Sequence, residues 1–160
     1  MNANIRQLKK EDRASLEAML SDTTVFYPEE TVVALELIDI ALGNPDQIDY
    51  YIYVYEEDGL VLGYHCTGKR PLTDGTYDLY WIVVAPGTTG KGIGSKLLVH
   101  AESFVKSENG RWLLAETSSR DIYEPTRSFY LKNGYPLVSS IPDFYAVGDA
   151  LMIYGKKFIN

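Results

Sequence analysis

Three glycines spaced two apart, Gly90-Lys91-Gly92-Ile93-Gly94, stand where an apolar β run gives way to a helix. The full stretch reads Trp81-Ile-Val-Val-Ala-Pro-Gly-Thr-Thr-Gly-Lys-Gly-Ile-Gly-Ser-Lys-Leu-Leu98. Glycine permits backbone conformations and close approaches that a Cβ forbids. The first turn of a helix leaves N–H groups without intrahelical partners, and the helix dipole adds positive potential there. Strand, glycine loop and helix N-terminus in this order make a cradle for a phosphate or pyrophosphate. The spacing is not that of a Walker loop, which needs Gly-Lys-Ser/Thr, nor that of the dinucleotide fingerprint Gly-x-Gly-x-x-Gly. Taken alone, such a loop is equally a turn and a cap; the preceding strand and the rest of the chain favour a ligand.

Two further side chains stand where chemistry is done. Glu116 follows the apolar run Trp112-Leu-Leu-Ala115, so it lies where a buried strand emerges, and ligand crevices form at such carboxyl ends. A carboxylate there suits a general base; the plain alternative is a strand-end salt bridge. Tyr130, in Phe129-Tyr-Leu-Lys-Asn-Gly-Tyr135, is either a proton donor or one more packed ring in a chain with 13 tyrosines. Lys91, Lys96 and Arg127 are cations near enough in sequence to meet phosphates. In the last hairpin, Asp143, Tyr145 and Asp149 are candidates to meet an ammonium group. His65 and His100 have no metal-ligand spacing, and Cys66 reads as a small core residue. Ser118 and Ser119 lack a positioned histidine, which excludes hydrolase chemistry.

The chain of 160 residues is expected to be one domain, 1–160, large enough to bury a core without disulfide or metal. Its 46% hydrophobic and 23% charged residues are those of a soluble protein. A net charge of −7 disfavours nucleic acid as a partner and mildly favours a cationic one. No apolar run is long enough to span a bilayer, and Met-Asn-Ala-Asn-Ile-Arg lacks the apolar core of a signal peptide. The lone cysteine fits a reducing, cytoplasmic location.

The elements that must position these residues follow from periodicity. Ile5–Leu8 is expected as a first strand and Glu11–Leu20 as a helix. A second helix runs from Pro28 to the stop at Gly43-Asn44-Pro45, with Val32, Leu35, Ile38 and Leu42 as its apolar stripe. Asp49–Tyr55 alternates Tyr50, Ile52 and Val54 against Tyr51, Tyr53 and Tyr55, and the tyrosine face is expected under a helix. Glu56–Gly59 is the hairpin turn and Leu60–Thr67 the return strand. Tyr77–Val84, the helix Lys91–Val105 and the strand from Arg111 to Glu116 make a βαβ unit with parallel strands. A short helix, Pro125–Asn133, closes at Gly134, and late strands follow near Leu137–Ala146 and Ala150–Phe158. The predicted class is α/β with a mixed sheet between helices, three layers in the order β-α-α-β-β-β-α-β-α-β-β.

This order and these motifs resemble the GCN5-related N-acetyltransferase (GNAT) superfamily over nearly the whole chain. That family carries Arg/Gln-x-x-Gly-x-Gly/Ala after a bulged strand; the aligned hexapeptide is Thr89-Gly-Lys-Gly-Ile-Gly94, with Thr89 in place of the long leading side chain. Phe129-Tyr-Leu-Lys-Asn-Gly-Tyr135 is similar to the family's Phe/Leu-Tyr-x-x-x-Gly-Phe. Leu114-Ala-Glu-Thr-Ser118 is similar to the segment bearing a glutamate in the branch that acetylates protein N-termini. The resemblance implies an enzyme that transfers acetyl from acetyl-CoA directly to a primary amine of a small molecule or peptide, without a metal. Glu116 would be the general base, directly or through water, and Tyr130 the general acid facing the thioester sulfur. Ile82 and Val84 would offer backbone groups to the pantetheine arm, and the Val83–Val84 segment an N–H to the oxyanion. Thr89, Gly90, Lys91, Gly92, Ile93, Gly94 and Ser95 would line the pyrophosphate, with Arg127 as a further cation. A homodimer through the late strands is compatible with the family. The rival readings are a protein N-terminal acetyltransferase and a CoA-binding sensor without chemistry.

Overall fold

A computed structural model describes residues 2–158. The strands are β1 Ala3–Gln7, β2 Tyr51–Glu57, β3 Leu60–Lys69, β4 Thr76–Val84, β5 Trp112–Ser118, β6 Leu137–Ala146 and β7 Asp149–Lys157. The helices are α1 Arg13–Asp22, α2 Pro28–Gly43, α3 Ile93–Ser107 and α4 Glu124–Lys132, with single 3-10 turns at Lys10–Asp12 and Asp121–Tyr123. The strands form one seven-stranded sheet in the order β1-β2-β3-β4-β5-β7-β6. Every pairing is antiparallel except β4–β5.

The boundaries follow local chemistry. Asp58 and Gly59 take φ of 51° and 82°, the left-handed pair of a type I′ turn, so β2 runs on to Glu57 and the loop is two residues rather than four. Pro28 opens α2, and Glu29 and Glu30 in its first turn complement the dipole. Gly134 ends α4 at φ 83°, with Tyr135 N–H donating to the Tyr130 carbonyl at 2.9 Å and Gly134 N–H to that of Leu131 at 3.2 Å. The helix expected from Glu11 begins as a 3-10 turn and becomes regular at Arg13.

Helices cover both faces of the sheet. On one, Leu16 and Leu20 of α1 and Ala34 and Ile38 of α2 pack on Ile52, Val54, Tyr64, Cys66 and Val83. On the other, Leu98, Ala101 and Val105 of α3 meet Tyr77, Leu113, Ala115 and Tyr154, with Tyr130 and Tyr135 closing the end. The period-two face of β2 lies under α3 as expected: Tyr51 packs on Phe104 at 4.7 Å and Tyr53 on His100 at 4.5 Å between ring centres. The α2 stripe differs from expectation. Val32 is 55% exposed while Ala34 is fully buried. At 3.6 residues per turn, Val32 lies about 120° around the helix from Ile38, and the small Ala34 lets α2 sit close to the sheet.

One irregularity positions the site. The β4–β5 ladder covers only Thr76–Asp78 against Trp112–Leu114. Thr67 of β3 pairs with Leu79 and its neighbour Cys66 with Trp81, so Tyr80 is an extra residue, a bulge that bends β4. Beyond Asp78, β4 stays with β3 and β5 stays with β7, leaving a wedge between them. Among the described residues no helix is long and apolar enough to cross a membrane.

An ion pair fastens the edge of the sheet. Asp12 accepts from the Arg6 guanidinium at 2.8 Å and 2.9 Å and from the Lys9 N–H at 2.8 Å. Burial alone would raise the Asp12 carboxyl, but these bonds outweigh it and hold the group below the usual 3.8. A depressed folded pKa stabilises above the unfolded value and loses that contribution as pH falls through the folded one. Asp12→Asn is therefore expected to lower Tm at neutral pH and to flatten the loss of Tm as pH falls below the usual 3.8, as read by circular dichroism.

Candidate active site

The glycine loop lies at the open end of the wedge. Gly90 and Gly92 take φ of 85° and 75°, and a Cβ at either would meet nothing within 4 Å. Glycine is required there by backbone conformation, not by crowding. Gly92 is the N-cap of α3, so the helix starts at Ile93 rather than Lys91. No side chain caps it, and the first N–H bonded back into the helix is that of Lys96, to Gly92 O at 3.1 Å. The preceding turn thus faces outward with the polarity an anion needs. Gly94 answers a different need: a Cβ would lie 3.2 Å from the Phe129 ring, so its absence lets α3 approach α4.

A cleft of ≈470 Å³ opens against this loop. Of the residues the sequence put in a cofactor site, Ile82, Val84, Thr89, Gly90, Gly92, Ile93, Gly94 and Ser95 line it, joined by Thr88, Pro125, Thr126 and Phe129. Val83, Lys91 and Arg127 do not. Val83 points to the α1–α2 core, and Lys91 is exposed outside the cleft lining. Arg127 Nη1 donates to the carbonyls of Ser118 at 2.9 Å and Arg120 at 2.8 Å, tying α4 to the end of β5. Lys96 turns away to lie over the Tyr55 ring at 5.5 Å. Ala85 N–H donates to Leu62 O on the β3 side at 2.9 Å. Alternation along the strand then turns the backbone groups of Ile82 and Val84 to the side that β5 has vacated.

A second cavity of ≈250 Å³ adjoins the first, and the two share Ile82, Val84 and Thr126. Glu116 and Tyr130 both line it, although they come from different layers. Glu116 lies at the end of β5 with 41% of its side chain exposed, and its Oε1 accepts from Arg70 Nη2 at 2.9 Å. Among the described residues its Oε2 has no hydrogen bond. Arg70 is itself held by Asp78, through Nε at 2.9 Å and Nη2 at 2.7 Å. Tyr130 is buried against Phe129, Tyr135 and Tyr154, and its hydroxyl has no hydrogen-bond partner among the described residues. Burial pushes this phenol well above its usual 10, so it keeps its proton at any physiological pH.

The segment between α1 and α2 roofs the second cavity. Phe26 meets Trp81 edge-on at 5.1 Å. Arg120 Nη1 donates to the Tyr27 hydroxyl at 2.6 Å, and the Tyr123 hydroxyl donates to Glu30 Oε1 at 2.9 Å. The hairpin candidates divide. Asp149 accepts from the Ser118 hydroxyl at 2.5 Å and the Ser119 N–H at 3.2 Å, joining β5 to β7. Asp143 accepts from Gly148 N–H at 2.7 Å within the turn. Tyr145 is half exposed and outside the cavity lining, and its phenol is raised by burial and then by the charges of Glu116, Asp149 and Glu30.

His65 and His100 touch each other, Nε2 to Nδ1 at 3.0 Å, and burial pushes His65 down to about 3. Burial pushes the Cys66 thiol up, away from reactivity. No group of three metal-ligating side chains is found among the described residues. A further open cleft of ≈520 Å³, beside Arg6, Asp12 and Leu60, holds none of the candidate residues. Sequence reasoning missed Arg70, Phe26, Tyr123 and Arg120. Each is brought in by tertiary contact, and only an isolated charge or ring marks it in the sequence.

The fold has known counterparts. The profile of the acetyltransferase (GNAT) domain matches residues 49–136. A crystal structure of a GNAT-family protein from Desulfovibrio desulfuricans superposes with a TM-score of 0.93 at 37% identity, covering 98% of this chain and 99% of that one. The N-acetyltransferase YhfO of Bacillus subtilis, itself uncharacterised, is 26% identical over 137 residues, which is 82% of this chain and 89% of YhfO. The yncA protein of Salmonella typhimurium, solved with its cofactor acetyl-CoA, shares the fold at a TM-score of 0.77 and 20% identity, over 100% of this chain and 96% of that one.

Proposed function

The chain belongs to the GNAT acetyltransferase family, and from that premise we propose that residues 1–160 form one domain that moves the acetyl group of acetyl-CoA directly to a primary amine of a small molecule or peptide. The observation that carries this reading is the pair of adjoining cavities. The glycine loop opens onto one, Glu116 onto the other, and Ile82, Val84 and Thr126 belong to both. A thioester bound along the loop and an amine beside Glu116 would meet at the shared residues.

An amine at neutral pH is mostly protonated, and Glu116 takes that proton, directly or through a water, by its Oε2. The free amine attacks the thioester carbonyl. The N–H of Val84, aimed into the wedge, meets the developing oxyanion. The C–S bond breaks, and Tyr130, still protonated, supplies the proton that the leaving thiolate takes; the second proton of the attacking nitrogen leaves as the amide forms and restores the phenol, directly or through water. Holding both reactants in line contributes up to about 7–11 kcal/mol of barrier lowering. Thr89, which lines the cleft, replaces a longer side chain, so the pyrophosphate rests chiefly on backbone N–H groups. A cytoplasmic location and a homodimer belong to the same reading. The first rests on the lone, buried Cys66 and the second on β6, which is exposed along its whole length.

Calorimetric titration with acetyl-CoA tests the reading, with desulfo-CoA and dephospho-CoA as comparisons. Binding in the range of about 1 μM to 1 mM is expected. Thiol release should follow when tyramine, spermidine or a peptide with a free α-amino group is added. Turnover with the peptide alone would favour the protein N-terminal branch. Binding without turnover on any amine would favour a sensor, and absence of binding at millimolar acetyl-CoA would return the loop to a structural turn.

A further inference from the structure

We propose that Arg70, anchored by Asp78, is a positioning residue that fixes the Glu116 carboxylate in one orientation toward the acceptor amine. This rests on the reading of Glu116 as the base and adds a part to it that neither the family motifs nor the sequence marks.

The geometry is that of a built device. Arg70 follows β3, and its backbone is locked at both ends of a closed loop. Its N–H donates to Thr76 O at 2.9 Å, and its carbonyl accepts from the Thr73 hydroxyl at 2.7 Å. Its guanidinium then crosses to β4 and grips Asp78 in a two-pronged contact, Nε to Oδ2 at 2.9 Å and Nη2 to Oδ1 at 2.7 Å. Asp78 is the last β4 residue paired with β5, opposite Leu114, and Glu116 stands two residues further on the same face of β5. Arg70 therefore bridges the strands at the point where their ladder ends.

An exposed ion pair by itself fixes little, because two long side chains must be ordered in water. Arg70 and Glu116 are 39% and 41% exposed, and as an isolated pair they would fall in that class. Asp78 changes this. Its side chain is 10% exposed, and it holds the planar fork so that one Nη2 hydrogen already aims at Glu116. Fixing Oε1 leaves Oε2 as the free acceptor. A small cavity of ≈110 Å³ lies against Arg70, Asp78, Tyr80 and Glu116 and continues the acceptor space.

The bridge also balances charge. The titratable groups facing Glu116 are Arg70 from the loop after β3, Asp78 and Tyr80 from β4, Tyr145 from β6, and Tyr123 and Tyr130 from the α4 region, with Asp149 of β7 near Tyr145. Arg70 is the cation among them. Without it, Glu116 would face Asp78 with no cation between them, and like-charge repulsion would turn its carboxylate out of the orientation that Nη2 holds.

The test uses the full chain and four variants, Arg70→Met, Arg70→Lys, Asp78→Asn and Glu116→Gln. Thiol release from acetyl-CoA is followed with whichever of tyramine, spermidine or the peptide the wild type uses best. Calorimetry gives acetyl-CoA affinity, and circular dichroism gives Tm. Arg70→Met is expected to lower kcat about 10- to 100-fold, with acetyl-CoA affinity and Tm unchanged, because the carboxylate loses its fixed orientation while the fold is kept. Asp78→Asn should move the same readouts in the same direction by less. Arg70→Lys should recover only part of the lost kcat, because the charge returns but the planar fork does not. If Arg70→Met fails to fold, Asp78→Asn and Arg70→Lys carry the same readouts. An unchanged kcat in Arg70→Met, or a kcat loss that merely tracks a lower Tm, overturns the proposal while leaving Glu116 as base. Full activity of Glu116→Gln overturns the base reading itself, and Arg70's role with it.

Discussion

Glu116→Gln is expected to lower kcat at neutral pH by about 10²- to 10⁴-fold, a loss of about 3–5 kcal/mol of barrier lowering. Acetyl-CoA affinity should be unchanged. The substitution is nearly isosteric, and the amide oxygen can still accept from Arg70 Nη2, now 2.9 Å from Oε1. What disappears is the proton-accepting oxygen that faces the cavity. Tyr130→Phe should cost turnover too, with a different signature. Its hydroxyl has no partner among the described residues while its ring packs on Phe129, Tyr135 and Tyr154. The hydroxyl opens on the cavity and makes no bond that its removal would break, so Tm should hold while thiol release slows. Thiol release by both variants, measured alongside Tm and acetyl-CoA titration, separates the readings. A sensor predicts no turnover to lose. An enzyme that keeps its rate in Glu116→Gln within about threefold of wild type would take its base from elsewhere.

Why the sequence disclosed one half of this site and not the other has a physical explanation. The thioester side is local. The strand, Pro86, the glycines and α3 are contiguous, and left-handed φ at Gly90 and Gly92 is a demand that a sequence must meet with glycine. The parallel β4–β5 pairing follows from the same run of strand, helix and strand. The amine side is assembled from distant pieces. Phe26 reaches Trp81, Tyr27 reaches Arg120, and Arg70 reaches Glu116 across 46 residues, none with a periodic or motif signal. The second motif shows how a family pattern divides once its surroundings are known. Tyr130 lines the cavity, but Tyr135 is fully buried with its hydroxyl on Glu102 at 3.0 Å, so it belongs to the core. Val32 was misjudged for a related reason. Apolar spacing identifies a helix, whereas which face is buried depends on how closely Ala34 lets it approach the sheet.

Gly92→Val is expected to weaken acetyl-CoA binding at least about 100-fold, close to 3 kcal/mol. Two effects combine. A β-branched residue at φ 75° is a backbone outlier, and relief requires the N-cap of α3 to rotate, which carries the first-turn N–H groups away from the ligand. The new side chain would also project into open space, since nothing lies within 4 Å of the ideal Cβ, and Gly92 lines the cleft. Strain alone cannot be mistaken for this, because the chain contains its own control. Gly87 has φ 83° and equally open surroundings, yet it lies outside the cleft lining. Gly87→Val should therefore lower Tm by a similar amount and leave acetyl-CoA affinity where it was. Calorimetry and thermal melts on the two variants decide the matter. Equal loss of Tm with affinity lost only at Gly92 means that the loop holds the ligand. Equal loss of Tm with affinity kept in both means that the glycines serve the turn alone, and the pyrophosphate must be held elsewhere.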